Sequence, residues 1–172
     1  GVAGLIETAR LCAASEIKQH MLEFVAYTLE EPPYFDTKEM GSYIHAKSLA
    51  DAKIQVEGMV CLEMIGYFSD KKGSQDLPAK ILRPFYGTTG DFITVVQKFG
   101  NGKFGRKYKR LMKHQNLIKT KSFRAPESLP TISLSDHRNY WEFGYSAVMI
   151  TNTAFMRNHN YHHNTDVIGT LD

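Results

Sequence analysis

The chain has 172 residues, of which 42% are hydrophobic and 23% charged, a balance that excludes a disordered polypeptide and suits one domain with a sizeable core. Its 21 Lys and Arg against 18 Asp and Glu leave a formal charge of +3, too small to specify a nucleic-acid or membrane partner.

The apolar residues Val2, Leu5, Ile6, Ala9 and Ala13 follow helical spacing and predict a first helix over 2–14. No Ser, Thr, Asp or Asn precedes it to cap its free N–H groups, so the sequence is expected to start within a domain. "HMLEFVAYTL" is short and rich in β-branched and aromatic residues, which predicts a buried strand. A helix capped by Asp36 or Thr37 should then run to about Lys53. "VEGMVCLEMIGYF" reads as a second buried strand stopped by Gly66, and Ser69 to Gly90 as a long loop. Asp91 should open a helix through Phe92, Val95, Val96 and Phe99, followed by a short basic helix in "GRKYKRLMKHQN". "SLPTISL" gives a third strand, "SDHRNYWEFGY" a helical turn capped by Ser135 or Asp136, and "SAVMIT" a fourth strand. The ending is a polar loop running into a helix start. Strands alternating with helices predict an α/β domain with a mostly parallel sheet. Residues 1–172 form a single domain in this reading.

Cys12 and Cys61 sit among apolar neighbours and are too few for a disulfide framework, so both are expected as free thiols. No apolar run reaches about 18 residues, so no membrane helix is expected. No secretory leader is visible, but the chain opens on Gly1, not Met, and a targeting segment before it would fit a secreted or periplasmic protein. Between Asp91 and Glu127 lie ten Lys and Arg and no acidic residue. Without a stacking array of aromatics this is read as a solvated face, not a nucleic-acid surface.

In such sheets chemistry gathers where strands end and loops emerge. Three clusters fall there: Glu30 with Glu31, Glu63 before "MIGY", and His159, His162 and His163 after "SAVMITNT". Carboxylates and imidazoles suit zinc, and a carboxylate beside a metal-bound water can take its proton. Adjacent glutamates on extended backbone project in different directions, so one can coordinate while the other acts as base. Spacing alone does not separate this from a solvated turn and a polar surface loop.

The order of the motifs is more specific. "FVAYTLEEPPYF…MGS", "CLEMIGYFSD…GSQ", "GDFI", "LSDHRNYWEFGYSAVMITNTAFMRN" and "NYHHNTDVIGTLD" together resemble the zinc-dependent aminopeptidase family of metallopeptidases, which also contains the glutaminyl cyclases. The resemblance spans nearly the whole chain and matches the C-terminal portion of the family's catalytic domain. It implies a zinc-exopeptidase-like α/β fold with a mixed, mostly parallel sheet and helices on both faces. It also implies that Glu30 is the general base, Glu31, Glu63 and His162 are metal ligands, and His163 is a bystander. Asp136 and His137 match the family's "SDH" signature and, with Tyr161, are placed as supporting or substrate-pocket groups. The family's first ligand His and bridging Asp have no match in these residues, so the chain alone is expected to be impaired. Asn152 and Val167 stand where relatives usually carry Asp and Thr. The implied activity is hydrolysis of the peptide bond next to a free N-terminal amine, with two zinc ions per site in the family. Glutaminyl cyclisation and a non-catalytic binding role are the alternatives. A peptide substrate is the implied partner, and self-association is allowed if an apolar edge is left uncovered.

Overall fold

The computed structural model describes residues 1–16 and 19–172. A four-stranded mixed sheet forms its centre, built from β1 (Met59–Glu63), β4 (Ile93–Lys98), β5 (Thr120–Ala125) and β6 (Ala147–Thr151) in the order β1-β6-β4-β5. β1 runs parallel to β6, with Glu63 opposite Thr151, and β4 runs parallel to β5. The two pairs meet antiparallel, with Val95 opposite Ile150. One edge of the sheet therefore carries the carboxyl ends of β1 and β6 beside the amino ends of β4 and β5. Every residue of β6 is buried, and so is every residue of β4 but Lys98, as expected for strands covered on both faces.

Side-chain alternation splits the core in two. Cys61, Val96 and Met149 face Ala46 of α2 (Gly41–Asp51) and Tyr140 and Trp141 of α5 (His137–Glu142). Val95, Val148 and Ile150 face Phe104, Tyr108 and Met112 of α4 (Phe104–Gln115). Those three contact residues recur every fourth position, while Arg106, Lys107, Lys109, Arg110 and Lys113 occupy the rest of the helix surface. Helices thus cover both faces. Gly58 admits the Phe104 ring so closely that a Cβ there would lie 2.4 Å from it. The first helix, α1 (Val2–Ala13), packs beside β1, with Gly4 against Leu62 and Ile65.

Several elements differ from the sequence reading. Residues 20–29 form no strand of either sheet among the described residues. Turns occupy 31–40, so α2 starts at Gly41 with Met40 at its cap, while the Thr37 hydroxyl bonds locally to the Tyr34 carbonyl. The expected long loop contains a short antiparallel pair, β2 (Ser69–Lys72) and β3 (Thr89–Gly90), with the short helix α3 (Arg83–Tyr86) between them. The expected helix after Asp91 is strand β4: Ile93, Val95, Val96 and the rest satisfy helical spacing only because both strand faces are apolar. "SLPTISL" is not a strand; Pro130 opens a 3₁₀ turn over Pro130–Ile132, and the strand is β5, just upstream. Asp136 does occupy the N-cap position of α5, yet makes no side-chain capping bond. The chain ends in 3₁₀ turns, Ala154–Met156 and Ile168–Thr170. Both cysteines are free. No helix among the described residues is long and apolar enough to cross a membrane.

Candidate active site

A cavity of about 300 Å³ opens at the sheet edge where β1 and β6 end, and Glu30, Glu31, Glu63, Tyr161 and His162 all line it. The chain reaches this rim through backbone turns few L-residues adopt: φ is 61° at Leu29, just before the glutamates, 49° at Met64, just after Glu63, and 61° at His162 itself. Left-handed backbone outside glycine costs roughly 1–2 kcal/mol per residue, and it recurs here where the candidate side chains are aimed.

Glu31 Oε1 stands 3.5 Å from His162 Nε2. The His162 ring stacks on Tyr161 with centroids 3.9 Å apart and planes 16° apart, which fixes its face. Glu63 closes β1, and its Oε2 accepts a hydrogen bond of 3.0 Å from the Ser135 hydroxyl. Ser135 is fully buried, and its oxygen lies 3.4 Å from Cys61 Sγ. With its single proton directed to Glu63, the serine accepts from the thiol. Ser135 also contacts Glu30.

These carboxylates are electrostatically uncomfortable. Burial, then the charges of Glu63, Asp136 and Glu31, push Glu30 up to about 8, with Ser135 opposing. Burial also raises Glu63 and Asp136 above the usual carboxylate range. The Tyr161 hydroxyl is raised by burial first and then by the glutamates. Among the described residues no Lys or Arg lines the cavity, and the His162 imidazole is the group there that can carry a positive charge.

The donors fit a divalent ion in part. Oxygen and nitrogen 3.5 Å apart can both reach one ion at the roughly 2.0–2.2 Å of zinc bonds, and carboxylate with imidazole is a zinc-compatible set. Among the described residues, however, no three His, Cys, Asp or Glu groups converge closely enough to hold an ion together.

The remaining expected residues lie elsewhere. Asp136 is off the cavity wall, and its Oδ1 is buried without a hydrogen-bond partner among the described residues. His137 is in the core, edge-on to Trp141 with ring centroids 4.6 Å apart, donating from Nε2 to the Ile132 carbonyl at 2.7 Å. His159 reaches away to Asp76, and His163 does not line the cavity. Asn152 has a structural task. Fully buried, it donates from Nδ2 to the Tyr67 carbonyl and accepts from the Ala154 N–H. A carboxylate could not make the first of these bonds. Ser135 was missed by sequence reasoning, which took it only as a helix cap; its hydroxyl beside "DH" was the available signal.

Comparisons with known proteins bear on the family and the fold. The profile of Peptidase family M28 matches residues 1–172. The uncharacterised protein YfbL of Escherichia coli K12 is 41% identical over 162 residues, covering 94% of this chain and 49% of its own length. Two crystal structures of the Legionella pneumophila aminopeptidase LapA superpose with TM-scores of 0.69 at 18% and 19% identity. They cover 98% of this chain and 38% and 40% of LapA, a likeness of fold. The chain thus spans about half the length of its curated relative. With the whole chain matched, it belongs to Peptidase family M28.

Proposed function

We propose that the protein is a zinc-dependent aminopeptidase that hydrolyses the peptide bond next to a free α-amino group. The observation that carries this reading is the convergence of Glu31 and His162, 3.5 Å apart, with Glu30 and Glu63 at the mouth of one cavity. Family membership and the aminopeptidase fold neighbours support it.

Glu31 and His162 would hold one zinc ion, and Glu63, which does not converge with them, would serve a second. Bound there, zinc would lower the pKa of a water and polarise the scissile carbonyl. Glu30 takes the proton from the attacking water and returns it to the leaving amine, a role worth about 10²–10⁴ in rate. The carboxylates around the mouth attract the substrate's α-ammonium group and set it against the scissile bond. Ser135 holds the Glu63 carboxylate in one orientation.

The test is to supply the full-length protein with zinc and offer aminoacyl anilides, N-acetylated anilides and an N-terminal glutaminyl peptide. The expected result is release from free-amine anilides alone, abolished by chelation. Cyclisation of the glutaminyl peptide without anilide hydrolysis would move the assignment to the cyclase reaction. Absence of both reactions from a zinc-loaded protein would leave a binding role.

A further inference from the structure

The charges of the chain are segregated, and the formal charge of +3 conceals it. Between Asp91 and Glu127 stand ten Lys and Arg and no acidic residue, while the other 11 are outnumbered by all 18 Asp and Glu. Six of the ten, Lys103, Arg106, Lys107, Lys109, Arg110 and Lys113, lie on α4 or at its N-cap. At about 100° per residue they share an arc of about 160°, opposite the stripe of Phe104, Tyr108 and Met112 that packs on the sheet. Of these six, Lys107 alone has a carboxylate in salt-bridge reach among the described residues, Glu57 at 3.7 Å, and Glu57 also meets His20 at 3.3 Å. The arrangement works against the helix that carries it. Lys103 stands three and four residues before Arg106 and Lys107, Arg106 before Lys109 and Arg110, and Lys113 after Arg110 and Lys109. Like charges at such spacings repel. Lys103, Arg106 and Lys107 also crowd the positive end of the helix dipole, with no acidic residue in the first turn. Mixed signs would keep this face as soluble and would stabilise α4.

We infer that this face of α4 docks on a bilayer rich in anionic phospholipid. Unpaired cations along a helix about 18 Å long match a layer of phosphates, which would also relieve the repulsion among them. Leu111, 49% exposed, lies at the edge of the arc one turn after Lys107. Leu117, 88% exposed, follows the left-handed turn at Asn116 that ends the helix. These side chains can enter the headgroup layer, where charges alone would stop at its surface. A nucleic acid offers no such layer, and its unpaired bases favour aromatic platforms. The aromatic residues of α4, Phe104 and Tyr108, are instead packed against the sheet. The topology leaves the candidate active site clear of this contact. α4 covers the sheet face of Val95, Val148 and Ile150, whereas Val96 and Met149 line the cavity from the other face. A bilayer against α4 therefore leaves the cavity open to solvent.

The experiment is co-sedimentation of the full-length protein with vesicles of phosphatidylcholine alone and of phosphatidylcholine mixed with phosphatidylglycerol, at low and high salt. Vesicle binding needs no turnover, so its outcome is separate from that of the peptidase assay. Binding should require the anionic lipid and should weaken steeply as salt shortens the reach of the charges. Arg106→Gln, Arg110→Gln and Lys113→Gln combined should lower partitioning by about 100-fold, at about five-fold per charge. That variant should resist chemical denaturation at least as well as the wild type, because it relieves repulsion along α4. Leu117→Ser, a change at an exposed position after the helix, should by itself lower partitioning by about 10-fold with the salt dependence kept. No binding to the anionic vesicles, equal binding to both kinds of vesicle, or undiminished binding by the triple variant would overturn the inference. Duplex DNA and polyglutamate are the competing polyanions. Tighter binding of either than of the anionic vesicles, at the same salt, would overturn the lipid assignment.

Discussion

The Ser135 hydroxyl, buried in the core, donates to Glu63 Oε2 at 3.0 Å, tying the loop before α5 to the last residue of β1. Ser135→Ala should leave the half-buried Glu63 carboxylate short of a donor, costing about 1–3 kcal/mol of stability. Loss of such an outer contact should also reduce zinc affinity or kcat/KM by about 10–100-fold. Denaturant titration and metal binding measured on the same variant would check both; a variant with unaltered stability and zinc affinity would show the contact to be incidental.

Glu30→Gln should lower turnover by about 10²–10⁴ while zinc content stays near that of the wild type. If metal is lost instead, Glu30 and Glu31 have exchanged roles. The same substitution has a separate signature in metal-free protein. The Glu30 carboxyl, raised to about 8, binds its proton more tightly when folded, so its contribution to stability is complete below the unfolded value near 4.5 and is lost as pH rises through about 8. Glutamine carries no charge to repel Glu63 and Asp136. Metal-free Glu30→Gln should therefore be more stable than wild type at pH 8 by about 1 kcal/mol after allowance for solvent screening. Equal midpoints in chemical denaturation at pH 8 would count against the carboxylate cluster.

Much of the candidate site was legible in the sequence because motif order survives where local spacing is ambiguous. Glu31 and His162 are far apart in the chain, and no periodicity connects them, yet their flanking words "EEPP" and "NYHH" did. The inner part of the cavity was not legible. Val96, Phe123 and Met149 line it from three strands, and β4 reads as a helix because a strand buried on both faces loses the alternation that identifies it. β5, "TKSFRA", hid for the opposite reason: an edge strand with Lys121 and Arg124 has too few apolar residues to register. α4 was legible because it has water on one side only, and so keeps a clean helical stripe.

Glu31→Gln and His162→Ala should each weaken zinc binding by more than the roughly 10–100-fold typical of losing an outer contact, since each removes a proposed ligand. Both side chains are largely exposed, so neither change should disturb the fold. Calorimetric titration with zinc, beside circular dichroism of the metal-free variants, separates the two effects. Zinc binding unchanged in both would refute the assignment of this pair as ligands.

His137 supplies a pH signature that is independent of the metal. The imidazole is wholly buried; its Nε2–H donates to the Ile132 carbonyl, and Nδ1 has no partner among the described residues. A carbonyl can only accept, so the neutral ring carries its proton on Nε2. Burial, offset in part by that hydrogen bond, lowers the folded value to about 4 from 6.5. A depressed value means that the unfolded chain binds the proton more readily. The stability contribution is therefore present in full above about pH 6.5 and is lost as pH falls toward 4. Its size is on the order of 3 kcal/mol. The raised carboxyls of Glu30, Glu63 and Asp136 act in the opposite sense, gaining stability over part of the same range, so the wild-type curve alone would conceal the effect. The informative quantity is the difference between wild type and His137→Gln, which keeps a donor near the Nε2 position and cannot be protonated. Glutamine loses the edge-on contact with Trp141 and should be less stable at pH 7.5. The gap should narrow or reverse by pH 4.5 in metal-free protein. Parallel stability curves for the two proteins between those values would mean that His137 is not held neutral in the core.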